Sequence, residues 1–88
     1  MINLYLADGP EILKRLAAAA EVKSSREFAL AAHKFKSSSA SVGALHLSSL
    51  LAEAERMGRE DCREEFATVL AKITAEYQTV GKSLADEL

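Results

Sequence analysis

The 88-residue chain holds one cysteine, one proline, four glycines and no tryptophan. A single cysteine excludes an intramolecular disulfide framework and a cysteine-rich metal site. So little proline and glycine leaves almost none of the punctuation that separates strands, which favours helix. No apolar run approaches the ~20 residues of a membrane span, and no signal-peptide pattern opens the chain. Neither sign of charge dominates: 11 basic against 13 acidic residues give a formal −2, which argues against bulk nucleic-acid binding. At this length there is room for one domain, residues 1–88, and little room for a catalytic cleft. A small binding or transfer module fits best.

What the chain does have is enough apolar residue for a core, 49% of the total, and an abundance of Ala, Leu, Glu, Lys and Ser. Met1 to Ala7 reads as one or two helical turns, interrupted by Asp8-Gly9-Pro10. Pro10 suits the first position of a new helix, capped by Asp8 or Gly9, with Ile12, Leu13, Leu16 and Ala20 on one face. Ser24 to Glu27 reads as a capping box, Ser24 at the N-cap and Glu27 reaching back. The helix it opens runs to about Val42, with Phe28, Ala32, Phe35, Ser39 and Val42 spaced 4-3-4-3 and Gly43 at the left-handed position beyond. A third helix spans about Leu45 to Met57, with Leu47, Leu50, Leu51, Ala54 and Met57 inward and Gly58 closing it. Asp61 with Glu64 repeats the capping pattern for a last helix, whose stripe is Phe66, Leu70, Ile73, Tyr77, Val80 and Leu84. The pattern predicts an all-α fold, an antiparallel four-helix bundle with a short extra N-terminal helical segment.

The outer face of the second helix carries the chemistry. With the Phe28–Val42 seam set at zero, a turn of roughly 100° per residue places His33 at roughly 140°, out in solvent. Arg26, Ser37 and Ala40 fall near it, Leu30 at roughly 200°, and Lys36 one turn along at the rim. A lone surface histidine is ordinarily without a role. Three features distinguish this one. An exposed imidazole is a usable nucleophile near neutral pH. The small residues Ala29, Ser37 and Ala40 leave a partner room to approach. Lys23, Arg26, Lys34 and Lys36 against Glu27 give residues 23–41 a net +3 on an acidic protein, which suits a phosphoryl group or an acidic partner.

The run His33-Lys34-Phe35-Lys36-Ser37-Ser38-Ser39-Ala40-Ser41-Val42-Gly43-Ala44 resembles the signature of histidine-containing phosphotransfer (HPt) domains: His, any residue, an apolar residue, Lys, Gly, small residues, then Gly. Leu4-Tyr5-Leu6-Ala7-Asp8 and the Pro10–Leu16 helix upstream agree, as does Leu50-Leu51-Ala52-Glu53-Ala54-Glu55 downstream, so the resemblance covers nearly the whole chain. Ser37 departs from it, standing where the family usually has Gly. The resemblance implies that His33 Nε2 takes a phosphoryl group from a receiver-domain aspartate and passes it to another, with Lys36 balancing charge and Arg26, Ala29, Leu30, Ser37 and Ala40 forming the docking surface. It implies response-regulator receiver domains as partners, Mg²⁺ in the receiver, and no cofactor or metal in this chain. It also implies a monomeric, cytoplasmic domain without direct membrane contact, either free-standing or cut from a hybrid sensor histidine kinase.

The remaining residues read plainly. His46, at the start of the third helix, is a surface residue, and Cys62 a helix-start residue without a nearby His in sequence. Glu53 and Glu55 with Arg56 and Arg59 read as a solvated helix face with i,i+4 pairs. No ATP-binding glycine loop or kinase motif is present, so the chain cannot phosphorylate itself from ATP. The competing reading is a non-transferring helical adaptor that docks a protein through Leu30 and the basic patch around His33, and a weaker one a helical dimerisation piece.

Overall fold

A computed structural model describes the backbone of residues 2–86 and the side chains of residues 8–82. Its elements are α1 (Ile2–Glu21), α2 (Ser25–Ser41), α3 (Leu45–Arg59), a single 3₁₀ turn (Arg63–Glu65) and α4 (Phe66–Asp86). They form the four-helix bundle, 38 × 19 × 18 Å, with successive helices packed side by side and α4 closing back onto α1. No strand occurs among the described residues. The inner stripes predicted from the apolar spacing meet in one core: Ile12 and Leu16 of α1, Phe28, Ala32 and Phe35 of α2, Leu47, Leu51 and Ala54 of α3, and Phe66 and Ile73 of α4 are buried. Ala19, Ala31 and Val69 join them. Leu84 lies outside the residues whose side chains are described.

Two ring pairs fix α2 across this core. Phe28 stacks on Phe66 with centroids 4.0 Å apart, and Phe35 meets Tyr77 at 5.6 Å and an interplanar angle of 55°. Both partners belong to α4, so the helix carrying His33 is anchored at two levels by apolar contact.

The helix ends differ from expectation in three places. Asp8-Gly9-Pro10 does not break the chain, and α1 runs through Pro10 without interruption. The separate N-terminal segment is therefore the first part of α1. Gly9 is buried against Tyr77, and a Cβ there would collide with that ring, so the glycine serves close helix approach and not a cap. Ser24 does cap α2, accepting from the Glu27 N–H at 3.4 Å. The other half of the capping box is not used, because the Ser24 N–H donates to the Ala19 carbonyl, and Lys23 turns the chain at φ 56°. Gly43, at φ 82°, ends α2 as the sequence predicted, in the same six-residue hydrogen-bonded turn.

Gly58 does not close α3. It is buried inside the helix, which ends at Arg59. Asp61 takes the left-handed position after it, at φ 60°, so it does not cap the following helix. Its carboxylate accepts from Ser25 Oγ and from Arg63 Nε, tying the start of α2 to the 3₁₀ turn. These donors hold the Asp61 carboxyl below the usual carboxylate range, the Ser25 hydroxyl foremost.

Candidate functional site

The site rests on how closely α2 and α3 approach. A Cβ at Gly58 would stand 2.8 Å from the Ala29 Cβ and 2.8 Å from the Ser25 carbonyl oxygen, so only glycine lets the two backbones come this near. Ala29 is half-buried at this crossing, and its size is set by the α2–α3 contact. One turn beyond Ala29 on α2 lies His33, and one turn before Gly58 on α3 lies Glu55. The glycine thereby brings these two side chains together.

His33 is exposed, its side chain 59% accessible, and its Nδ1 lies 3.0 Å from Glu55 Oε2. Glu55 is the opposite, with a side chain only 6% accessible. It is not part of a solvated face. Lys36 Nζ donates to Glu55 Oε1 at 2.7 Å, and Arg59 Nη2 donates to Oε2 at 2.5 Å. The i,i+4 pairing with Arg59 is present, but Lys36 and His33 cover the carboxylate from α2. Burial alone would raise the Glu55 carboxyl; the Lys36 hydrogen bond outweighs it, and the charges of Lys36, Arg59 and His33 add to the lowering. Glu55 is therefore ionised at neutral pH. An ionised carboxylate only accepts, so the proton of a neutral His33 ring sits on Nδ1 and the lone pair on Nε2. The arrangement leaves the Nε2 lone pair free of Glu55 on an exposed ring.

Around this centre the outer stripe of α2 stands as the helical phase placed it. Arg26, Leu30, His33, Ser37 and Ala40 are all exposed, Leu30 at 55%. Lys36 is half-buried at the edge, its carbonyl 3.5 Å from Ser48 Oγ of α3. The sequence reading missed Glu55 as a site residue. The available signal was its register: it follows Leu51 by four residues and Ala54 by one, which puts it on the margin of the inward stripe.

The other titratable candidates stay apart. His46 is exposed in the first turn of α3, and no group of three or more His, Cys, Asp or Glu able to hold a metal occurs among the described residues. Cys62 is half-buried, and burial together with Glu65 and Glu60 pushes its thiol up, which disfavours the reactive thiolate. No helix among the described residues is long and apolar enough to cross a membrane.

The sequence model of the Hpt domain matches residues 1–83. The chain belongs to the Hpt domain family and is a phosphotransfer module of the phosphorelay type. Its fold is also that of histidine-containing phosphotransfer protein B (HptB) from Pseudomonas aeruginosa PAO1, with a TM-score of 0.95 at 23% identity over 98% of this chain and 75% of that one. No curated protein matches the sequence.

Proposed function

We propose that His33 is the phospho-acceptor and that this chain shuttles a phosphoryl group between aspartates of response-regulator receiver domains. The observation that carries the proposal is the buried Glu55 carboxylate on His33 Nδ1, 3.0 Å away, beneath a ring open to solvent. The Nε2 lone pair attacks the phosphorus of a receiver's phospho-aspartate. A P–N bond forms, the P–O bond to the aspartyl carboxylate breaks, and that carboxylate leaves with its electron pair. No proton has to depart, because Nδ1–H stays on Glu55 and the positive charge left on the ring faces a carboxylate. Lys36, already at the rim, balances the phosphoryl oxygens. The reverse step returns the group to a second receiver.

Positioning supplies most of the rate, and the receiver contributes the other half of the site, including its acidic cluster and Mg²⁺. This chain supplies no cofactor. Arg26, Leu30, Ser37 and Ala40 form the docking surface, with Ala29 at its inner margin. Ser37 adds a hydroxyl where the family usually has glycine, close to where the phosphoryl group arrives. The domain occupies residues 1–88 and works as a monomer on the cytoplasmic side, alone or as part of a hybrid sensor kinase.

His33→Gln tests the assignment. The ring faces water, so the thermal midpoint should stay within the range of surface substitutions, about 0.5 kcal/mol. Acid-labile phosphorylation by a phosphorylated receiver should vanish. Label still arriving on a histidine in this variant would move the site to His46.

A further inference from the structure

Beside His33 runs a groove between α1 and α2. One stretch is a cleft of about 410 Å³, lined by Arg15, Glu27, Leu30, Ala31, His33 and Lys34. The next, of about 240 Å³, is bordered by Asp8, Glu11 and Ile12 and by Ser38 on the opposite wall. Arg15 from α1 and Lys34 from α2 line both stretches, so they stand at the divide between them.

These two cations differ from most others on the protein. Lys36 and Arg59 share Glu55, Arg56 reaches Glu53 and Glu60, Arg63 reaches Asp61, Lys23 reaches Glu64 and Lys14 reaches Glu11. Arg15 and Lys34 are exposed, and among the described residues neither side chain meets a carboxylate. Two cations without a direct ion-pair partner thus stand at the middle of a groove whose ends carry Asp8, Glu11 and Glu27, with the exposed Leu30 on the same cleft as the histidine. The complement of such a surface is a carboxylate next to an apolar side chain. Asp8 and Glu11 on one side and Glu27 on the other limit the favourable position to the point between Arg15 and Lys34, which suits a single carboxylate and opposes a long polyanion.

We propose that the receiver serving His33 lays an acidic segment along the α1–α2 groove, with a carboxylate between Arg15 and Lys34 and an apolar side chain against Leu30, and that Arg15 and Lys34 thereby select which receivers this chain accepts. The proposal rests on His33 as the phospho-acceptor. Rim charges of this kind act on encounter and on the choice of partner more than on the chemical step. Their effect should therefore appear in kcat/KM for a protein donor and be absent for a small one.

The test uses the full chain, phosphoramidate as a small donor, and a panel of phosphorylated receiver domains from the same genome. Arg15→Glu/Lys34→Glu should lower kcat/KM for the receivers preferred by the wild type roughly tenfold or more, with a loss that shrinks between about 0.05 and about 0.5 M salt. Arg15→Gln/Lys34→Gln should do the same to a smaller degree, and phosphoramidate labelling of His33 should stay within about twofold in both, since neither residue touches the reacting atoms. Lys72→Glu/Lys82→Glu makes the same change in net charge on exposed positions of α4 and should leave transfer unchanged. Receiver transfer at the wild-type rate in both groove variants overturns the proposal while His33 stands. An equal loss in the α4 variant overturns it too, because net charge would then explain the effect. Failure of phosphoramidate to label His33 in the wild type removes the phospho-acceptor reading and the proposal with it.

Discussion

On its α2–α3 side the bundle presses two backbones together at Gly58 and Ala29 and buries a carboxylate under three cationic or basic side chains. On its α1–α4 side it leaves a groove of about 620 Å³, lined mainly by alanines with Leu70. Both sides are rich in small residues, and they use them in opposite ways. At Gly58 the missing side chain is filled by the neighbouring helix, and the approach positions His33 over Glu55. Along the α1–α4 groove the missing side chains are replaced by nothing. The small residue at 58 therefore positions a site because another helix's backbone occupies the space it vacates. That is a fact of packing, invisible in the helical period alone.

Three substitutions grade this contrast, from the largest effect to the smallest. Phe35→Ala removes the ring that holds α2 against Tyr77 and should cost about 3–5 kcal/mol, read from chemical or thermal unfolding. An unchanged midpoint would mean that the two sides do not share one core. Gly58→Ala adds one carbon on the tight side and should cost about 1–3 kcal/mol and slow phosphotransfer, because backbone atoms of Ser25 and Ala29 must move. Ala71→Leu adds three carbons on the open side and should change stability by no more than about 0.5 kcal/mol, with transfer at the wild-type rate. A cost at position 71 equal to that at 58 would erase the distinction between the two sides.

Glu55→Ala sharpens the contrast by pH. The Glu55 carboxyl lies below its ordinary value in the folded protein, so its contribution is complete above the unfolded value and is lost as pH falls through the folded one. The variant should be less stable by about 1–3 kcal/mol at neutral pH, and the gap should close in acid. A gap that persists unchanged in acid would show that the charge on Glu55 is not what holds its partners. Nitrogen NMR of His33 reads the same interaction directly: the Nδ1–H form should dominate in the wild type and lose its preference in the variant.

The fold was legible in the sequence because the 4-3 spacing of α2 and α4 and the inward stripe of α3 survive into the core almost residue for residue, from Phe28 to Val42, from Leu47 to Met57 and from Phe66 to Tyr77. The outward phase of His33, Leu30 and Ser37 followed from the same period. Local signals were less faithful. Pro10 and Gly9 looked like a helix boundary, but tertiary packing against Tyr77 carried α1 through them. Gly58 looked like a stop for the same reason, since a glycine required by a neighbouring helix is indistinguishable in one dimension from a glycine required by a turn. Glu55 was hidden because its partners Lys36 and His33 come from another helix. Only Arg59, four residues on, was visible, and that pair by itself describes an ordinary wet surface.

The fit of Gly9 against Tyr77 carries a consequence for how this sequence can vary. Tyr77 touches Phe35 on one flank and occupies the space of a Gly9 side chain on the other, so α1, α4 and the histidine-bearing α2 are linked through a single ring. A larger residue at 9 is compatible only with a smaller one at 77, and a smaller one at 77 leaves Phe35 unsupported. Positions 9, 35 and 77 must therefore drift together, and an alteration at position 9 reaches the helix that carries His33 through the Tyr77 ring as well as through the direct packing of α1 on α2.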